Sequence, residues 1–508
     1  EKLPLSPSAS RQQTRDISAS VMMAPLASAC IPHRCTMSNK RPRTGEAETA
    51  LAGFAGFGSF MQDKSVRQLI SEPSAEYTDP LLTIAVDTDP LAHGFPAQGG
   101  DSFGKPQRAN FLLGDEYFFV NHGAFGAVAR PIFEAAQAWR RYAEVQPLKF
   151  IDRELLPLLV HTIREFAPEV GAAATDLVFI PSATVGLNTV INAAAREWSS
   201  GDDVLSLEIG YSSVRKMLDV RCAEAGARHV VVPVALPVAS ADDVMAALEK
   251  AIGPRTRFAV IDHVTSNTAL VLPVARMVQL CRSRGVKVLI DGAHAPGMLD
   301  LDLTALDADW YVANLHKWYC CPRGCAFLWA RPGEGQSALQ PLVVSHGSSD
   351  GFTSAFVWDG NRDYSATLSV LTAVRVWRLW GGGKAREYMR RTAREAGEAL
   401  VSAWGTSTLA PWDMFGSMVM VRVPSACAGI TEEEEAYPAH AKFVQDTLFH
   451  TYQVEVPVKV AAGKLYVRIS AHVYNHKVDY KAVASAISTM QNDNLGKVTV
   501  CTKGGGCA

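Results

Sequence analysis

The stretch VLIDGAHAPG, residues 288–297, and the stretch WYVANLHKWYCCPRGCAFLW, residues 310–329, decide how this chain is read. Val288, Leu289 and Ile290 form an apolar run that ends on a carboxylate, Asp291. A second apolar run ends on Asn314, His316 and Lys317, with Trp318 behind them. Short apolar runs bounded by turn residues read as buried strands. A carboxylate at the end of such a strand is costly to bury unless it meets a cation or several donors. The two strands therefore deliver an acid and an amine toward something that needs both.

Working outward, the same texture repeats. LVFIPSA (177–183) is a short apolar strand, and TVGLNTVINAAARE (184–197) follows it with the helical spacing of Val185, Leu187, Val190 and Ile191. DVLSLE, HVVVPV and FAVIDHV supply further strands. Between them lie helical patterns in SVRKMLDVRCAEAG, stopped by Gly226, and in SADDVMAALEKAI, where Ser240 suits the cap and Asp242 and Asp243 the positive end. LPVARMVQLCRSRG closes on Gly285. Apolar strands separated by helices predict an α/β fold, a mostly parallel sheet flanked by helices. In such sheets ligands bind beyond the carboxyl ends of the strands. SATVG, HVTSNT, Asp291 and NLHKW all fall at such ends, so four loops converge on one crevice. After about residue 360 the pattern loosens into a smaller α+β unit containing SMVMVRVP (417–424) and KLYVRIS (464–470).

The expected organisation is a leader over 1–108, a ligand-binding large domain over 109–375, a small C-terminal domain over 376–490 and a tail over 491–508. Residues 1–45 are rich in Ser, Pro, Ala and Arg, with Glu1 and Asp16 as their acids, in the manner of a transit peptide or a disordered leader. Import into a plastid or mitochondrion and a cytoplasmic location are both compatible with it. A formal net charge of -2 with 20% charged residues argues against a nucleic-acid partner. No apolar run is long enough to predict a membrane span. Ten cysteines in 508 residues do not make a disulfide scaffold. Cys320, Cys321 and Cys325 lack a second ligand pair of zinc type and read as buried thiols, so no metal is assigned.

A lysine drawn into an apolar pocket loses proton affinity and becomes a usable amine nucleophile. A lysine snorkelling from a strand end fits the local sequence equally well. Asp291 gives the first reading a partner. If the cation it meets is the ring nitrogen of pyridoxal 5'-phosphate, Lys317 holds the aldehyde as a Schiff base and Asp291 keeps the pyridine protonated as an electron sink. PSATVGLN then offers a helix start, with free N–H groups, to the phosphate.

VNHGAFG (120–126), SATVGLN (182–188), DHVTSNTALVLPV (262–274), DGAHAPG (291–297), NLHKWYCCPRGCAFL (314–328) and LYVRISAHVYN (465–475) together resemble the class V aminotransferase family. The resemblance is to its isopenicillin-N-epimerase-like branch and the related hercynylcysteine sulfoxide lyases. It implies fold type I of the pyridoxal-phosphate enzymes, a homodimer, and an amino-acid substrate processed through an external aldimine. By the same resemblance Lys317 is the Schiff-base lysine, Asp291 the pyridine partner and His294 a donor to the ring's phenolic oxygen. Ser266 is a further polar contact, Ala183 and Thr184 form the phosphate turn, and His316 and Asn314 complete it. Tyr211 is the candidate ring-stacking aromatic, although a packing tyrosine also fits. Arg468 resembles the arginine that grips a substrate carboxylate, a planar fork meeting a planar anion. Asn121 and His122 are expected to line the substrate pocket, with a structural role for His122 as the alternative. Asn361 departs from the family pattern, standing where a threonine reaches the partner subunit's phosphate.

The resemblance leans toward C–S lyase chemistry, with epimerisation and transamination as alternatives. A cysteine desulfurase needs a mobile cysteine, for which Cys427 is a thin candidate. A non-catalytic scaffold is expected to lack Lys317 or Asp291, and both are present.

Overall fold

The computed structural model describes residues 64–96 and 102–492. Its main sheet comprises β1 (Leu177–Ile180), β2 (Asp203–Leu207), β3 (Arg228–Val232), β4 (Thr256–Asp262), β5 (Lys287–Asp291), β6 (Trp310–Asn314) and β7 (Ala326–Ala330). The strand order is β1-β7-β6-β5-β4-β2-β3. Strands β2 to β6 pair in parallel, and only β7 runs antiparallel to its neighbours, β1 and β6. The expected α/β architecture is what forms.

The strands are apolar throughout because both faces are covered. Helices α1 (Ala183–Ala195) and α2 (Ser212–Ala225) cover one face, α3 (Ala241–Ala251) and α4 (Val274–Ser283) the other. Along β5, Val288 and Ile290 pack toward α3 and α4, while Leu289 packs toward α1 and α2. Strand side chains alternate between faces, so Asp291 emerges on the α1 side, in phase with Leu289. Asp262 emerges likewise at the end of β4, and the register sets the two acids side by side. Strand β3 is the exception to full burial. It is the sheet's edge, and its Val231 is exposed.

The smaller unit is built from α5 (Gly383–Trp404), β8 (Met418–Arg422), α6 (Pro438–Tyr452), β9 (Val458–Ala461), β10 (Lys464–Ser470) and α7 (Lys477–Asn492). Its antiparallel sheet has the order β9-β10-β8. β10 leads into the buried turn Ala471–Asn475, which returns toward the large sheet and meets the residues after β6.

The expected leader boundary at 108 is corrected. Val66 and Ile70 of the helix Val66–Ser71 are buried, as are Ile84, Val86 and Phe95. Arg164 donates to the carbonyls of Leu69, Ile70 and Glu72 and lies 4.0 Å over the Tyr77 ring. Spaced single apolar residues anchor this segment, and a reading based on runs passes over them. The transit-peptide reading of 1–45 lies outside the described residues, as does nearly all of the tail. Among the described residues no helix is long and apolar enough to cross a membrane.

Candidate active site

A cavity of about 200 Å³ opens beyond the carboxyl ends of β1, β4, β5 and β6. At one end stands the start of α1. Ser182 Oγ accepts the N–H of Val185 at 3.3 Å, and Asn314 Oδ1 accepts that of Ala183 at 2.9 Å. Thr184, at the second helical position, lines the cavity. His316 lines it too, and its Nδ1 is buried with no hydrogen-bond partner. Burial, then the charges of Lys317 and Arg323, pull its imidazole down to about 4, so the ring is neutral.

At the other end lie the acids. Asp291 accepts the N–H of Ala293 at 3.0 Å. Burial pushes its carboxyl above the usual range, with the Ala293 N–H and the Lys317 charge pulling the other way. Asp262 accepts the N–H of Tyr211 at 3.2 Å and is raised well above the usual range by burial and then by Asp291. Tyr211 caps α2 and puts its partly exposed ring on the cavity wall. Ser266 follows β4 on the same wall.

Lys317 Nζ lies 2.9 Å from His294 Nε2. Burial pulls its ammonium down to about 8, with Asp291 opposing, Arg468 assisting and Asp262 opposing. His294 is held well below its ordinary value by burial, then by Lys317, Arg468 and His316.

Arg468 is 3% exposed. It donates to the Ser266 carbonyl and, at 3.3 Å, to Asn121 Oδ1, while its Nε has no partner. Asn121 in turn donates to Glu455 Oε1 at 2.8 Å. A buried guanidinium bonded to neutral groups, with one N–H spare, is a seat for an anion. Arg468 stands behind Ser266, and Asn121 lines a neighbouring cavity of about 500 Å³ that shares Ala124 and Phe125 with the first.

The structure thus brings Ala183, Thr184, Tyr211, Ser266, Asp291, His294, Asn314, His316 and Lys317 to one cavity. The expectation that His122 lines the substrate pocket is corrected. It is fully buried, with Nε2 3.0 Å from the Lys317 carbonyl and Nδ1 2.9 Å from the Tyr474 hydroxyl. Asn361 lies on the wall of a separate cavity of about 570 Å³, beside Arg140 and Tyr364. Two contributors escaped the sequence reading. Asp262 ends VID just as Asp291 ends VLID, and that parallel was available. Gly126, at φ +70°, lets the chain pass so close to β6 that an added Cβ would collide with the His316 carbonyl and lie 2.8 Å from Lys317 Cα. Cys320, Cys321, Cys325 and Cys427 are all buried, and none lines the cavity.

The sequence profile described as Aminotransferase class-V matches residues 159–352. An L-cysteine desulfhydrase of Arabidopsis thaliana is 31% identical over 407 residues, which cover 74% of this chain and 88% of that protein. The chain belongs to the class V aminotransferase family. The isopenicillin N epimerase of Amycolatopsis lactamdurans is also 31% identical, over 73% of this chain and 94% of its own. Among solved structures, a mutant of C-DES with glycine covalently linked to its pyridoxal-phosphate cofactor superposes with a TM-score of 0.64 at 18% identity, covering 76% of this chain and 99% of that one. The protein is a pyridoxal-phosphate-dependent enzyme of fold type I.

The residues fit that cofactor. The helix start and the partnerless His316 Nδ1 suit a phosphate, the buried Asp291 suits a pyridinium, and the half-buried amine suits an aldehyde.

Proposed function

We propose that the protein is a C–S lyase acting on L-cysteine or an S-substituted cysteine derivative. The reaction would expel the sulfur group from the β-carbon and, after hydrolysis, yield pyruvate and ammonia. Bound pyridoxal phosphate supplies an electron sink for the bond-breaking steps. Lys317 holds the cofactor and, once released from it, accepts the α-proton; an amine near pKa 8 is largely available for this at mildly alkaline pH. Asp291 keeps a proton on the ring nitrogen. His294 would face the ring's phenolic oxygen, and Tyr211 would wall the space that the ring takes. Ala183, Thr184, Asn314 and His316 hold the phosphate, with Ser266 as a further polar contact. Arg468, braced by Asn121, takes the substrate carboxylate.

The observation that supports the lyase reading over a desulfurase is that, among the described residues, no thiol lies on the cavity wall. A desulfurase passes sulfur to an enzyme cysteine. Cys427, the earlier candidate, is buried with its Sγ 3.5 Å from the Ile487 carbonyl. The similarity to an L-cysteine desulfhydrase supports the substrate class. Epimerisation is the second reading, favoured by the similarity to isopenicillin N epimerase. We also infer a homodimer in which Asn361 serves the partner's phosphate site, since it lines a different cavity from Thr184.

The test is product analysis. Purified holoenzyme is given L-cysteine and, separately, a cysteine S-oxide conjugate, and pyruvate is measured alongside the optical purity of recovered substrate. Pyruvate in step with sulfur release supports the lyase; racemised substrate without pyruvate replaces it with the epimerase.

A further inference from the structure

Lys317 and Trp318 form a dipeptide whose side-chain nitrogens and carbonyl oxygens each meet a hydrogen-bond partner. An indole N–H only donates. Trp318 Nε1 lies 3.3 Å from His294 Nδ1, so that nitrogen is bare. In a neutral imidazole the proton must then sit on Nε2, which lies 2.9 Å from Lys317 Nζ. The amine can receive that proton's hydrogen bond only through a lone pair, so the Trp318 contact favours its uncharged form.

The backbone of the dipeptide is fixed in the same way. Carbonyl oxygens only accept. His122 Nε2 therefore donates to the Lys317 carbonyl at 3.0 Å, which leaves its Nδ1 to accept from the Tyr474 hydroxyl at 2.9 Å. His472 Nε2 donates to the Trp318 carbonyl at 3.1 Å. The two imidazoles stack with centroids 4.0 Å apart and planes at 23°. Both are buried and pulled below their ordinary range, His472 to about 4, so neither carries charge at neutral pH. With Cys320 they form the one His/Cys/Asp/Glu group of ion-binding spacing among the described residues. The Nε2 protons are committed to the carbonyls of Lys317 and Trp318, which argues against a metal there.

We propose that Trp318, His122 and His472 are positioning residues for Lys317. Trp318 sets the proton state of the amine through His294, and the stacked imidazoles set its direction by holding the peptide from which it projects. None of the three lines the cavity. The groups that face the amine are Asp291, Asp262, His294, His316 and Arg468; the two stacked imidazoles are neutral and act through the backbone. The proposal rests on Lys317 being the residue that captures the cofactor.

The experiment follows capture of pyridoxal phosphate by cofactor-free protein, by stopped-flow absorbance across pH. In the parent protein the rate rises with pH and levels off above about 8 as the amine loses its proton. Trp318→Phe removes the indole donor, and the midpoint is expected to move by half a pH unit or more. His122→Leu removes one of the carbonyl's two donors, the Cys320 N–H remaining at 3.3 Å; the plateau rate is expected to fall about tenfold, as misplacement of a reacting group does, with the midpoint unmoved. His122→Gln, whose amide can still donate, should recover to within about threefold. Tyr474→Phe keeps the packing and should give a smaller slowing, which covers the case of a misfolded His122 variant. If circular dichroism shows folded variants with parental midpoints and plateaus, the positioning role is overturned. If Lys317→Ala captures cofactor as the parent does, the reading of Lys317 itself fails, a distinct result.

Discussion

The strand-end side of the site and the segment Arg468–Asn475 differ in where their buried polar groups face, the first into a cavity and the second into packed protein. On the strand-end side, His316 Nδ1 is left without a partner and Asp291 holds a single N–H, and both face a cavity. In the segment 468–475, His472 and Asn475 are fully buried in packed protein away from the cavity: His472 Nε2 donates to the Trp318 carbonyl, Asn475 also donates to Asp479, and His472 Nδ1 has no partner. Asn475 donates to the Phe119 carbonyl and accepts from the His472 N–H. An unfilled polar group is expensive in a protein interior unless a ligand completes it. The first side is therefore arranged for a guest, and the second holds the first in place. Arg468 belongs to both, since it grows from β10 yet keeps a free Nε.

That contrast can be broken most sharply at the amine. Lys317→Ala should lower turnover by about 10³-fold or more, the scale of a lost proton-transfer group, and should abolish the holoenzyme's absorption band. Gly126→Ala disturbs the same amine from its backbone side. A side chain at φ +70° pressed against the Lys317 backbone should cost several-fold in cofactor affinity, read by equilibrium dialysis. Arg468→Ala should raise KM by about 10²-fold with a smaller change in kcat, because truncating one side of a buried charged hydrogen bond costs about 2–5 kcal/mol. A change confined to kcat would move Arg468 wholly to the bracing side.

The pH dependence sharpens the same comparison. Lys317 is held below an ordinary lysine, so the folded protein sheds this proton while the unfolded chain still keeps it. Linkage then requires the cofactor-free protein to gain stability as pH rises from about 8 toward the usual lysine range. Denaturant melts in that window should show the gain, and Lys317→Met should lack it. The smallest effect belongs to Cys427→Ala, where turnover should stay within about twofold of the parent, as for a site away from the chemistry.

How much was legible follows the same division. The strand-end residues announce themselves because a polar residue ending an apolar run contradicts its surroundings, and that contradiction located Asp291 and Lys317. Asp262 obeys the same rule and was passed over only because HVTSNT drew attention to the loop after it. His122, His472 and Tyr474 break no local rule. Their meaning comes from a fold that brings residues 122, 318 and 472 together, and no spacing along the chain encodes it. The N-terminal segment escaped for a related reason, since Val66, Ile84 and Phe95 are buried one at a time within turn-rich sequence. Arg468 was found by resemblance, whereas its lack of an acid partner became visible only in three dimensions.

The most direct test is chemical trapping. The protein is loaded with pyridoxal phosphate, reduced with borohydride and digested, and the modified peptide is sequenced by mass spectrometry. The expected result is a single phosphopyridoxyl group on Lys317, lost in Lys317→Ala and retained in Cys427→Ala. A label on any other lysine, or none on cofactor-loaded protein, would contradict the assignment on which the site is built.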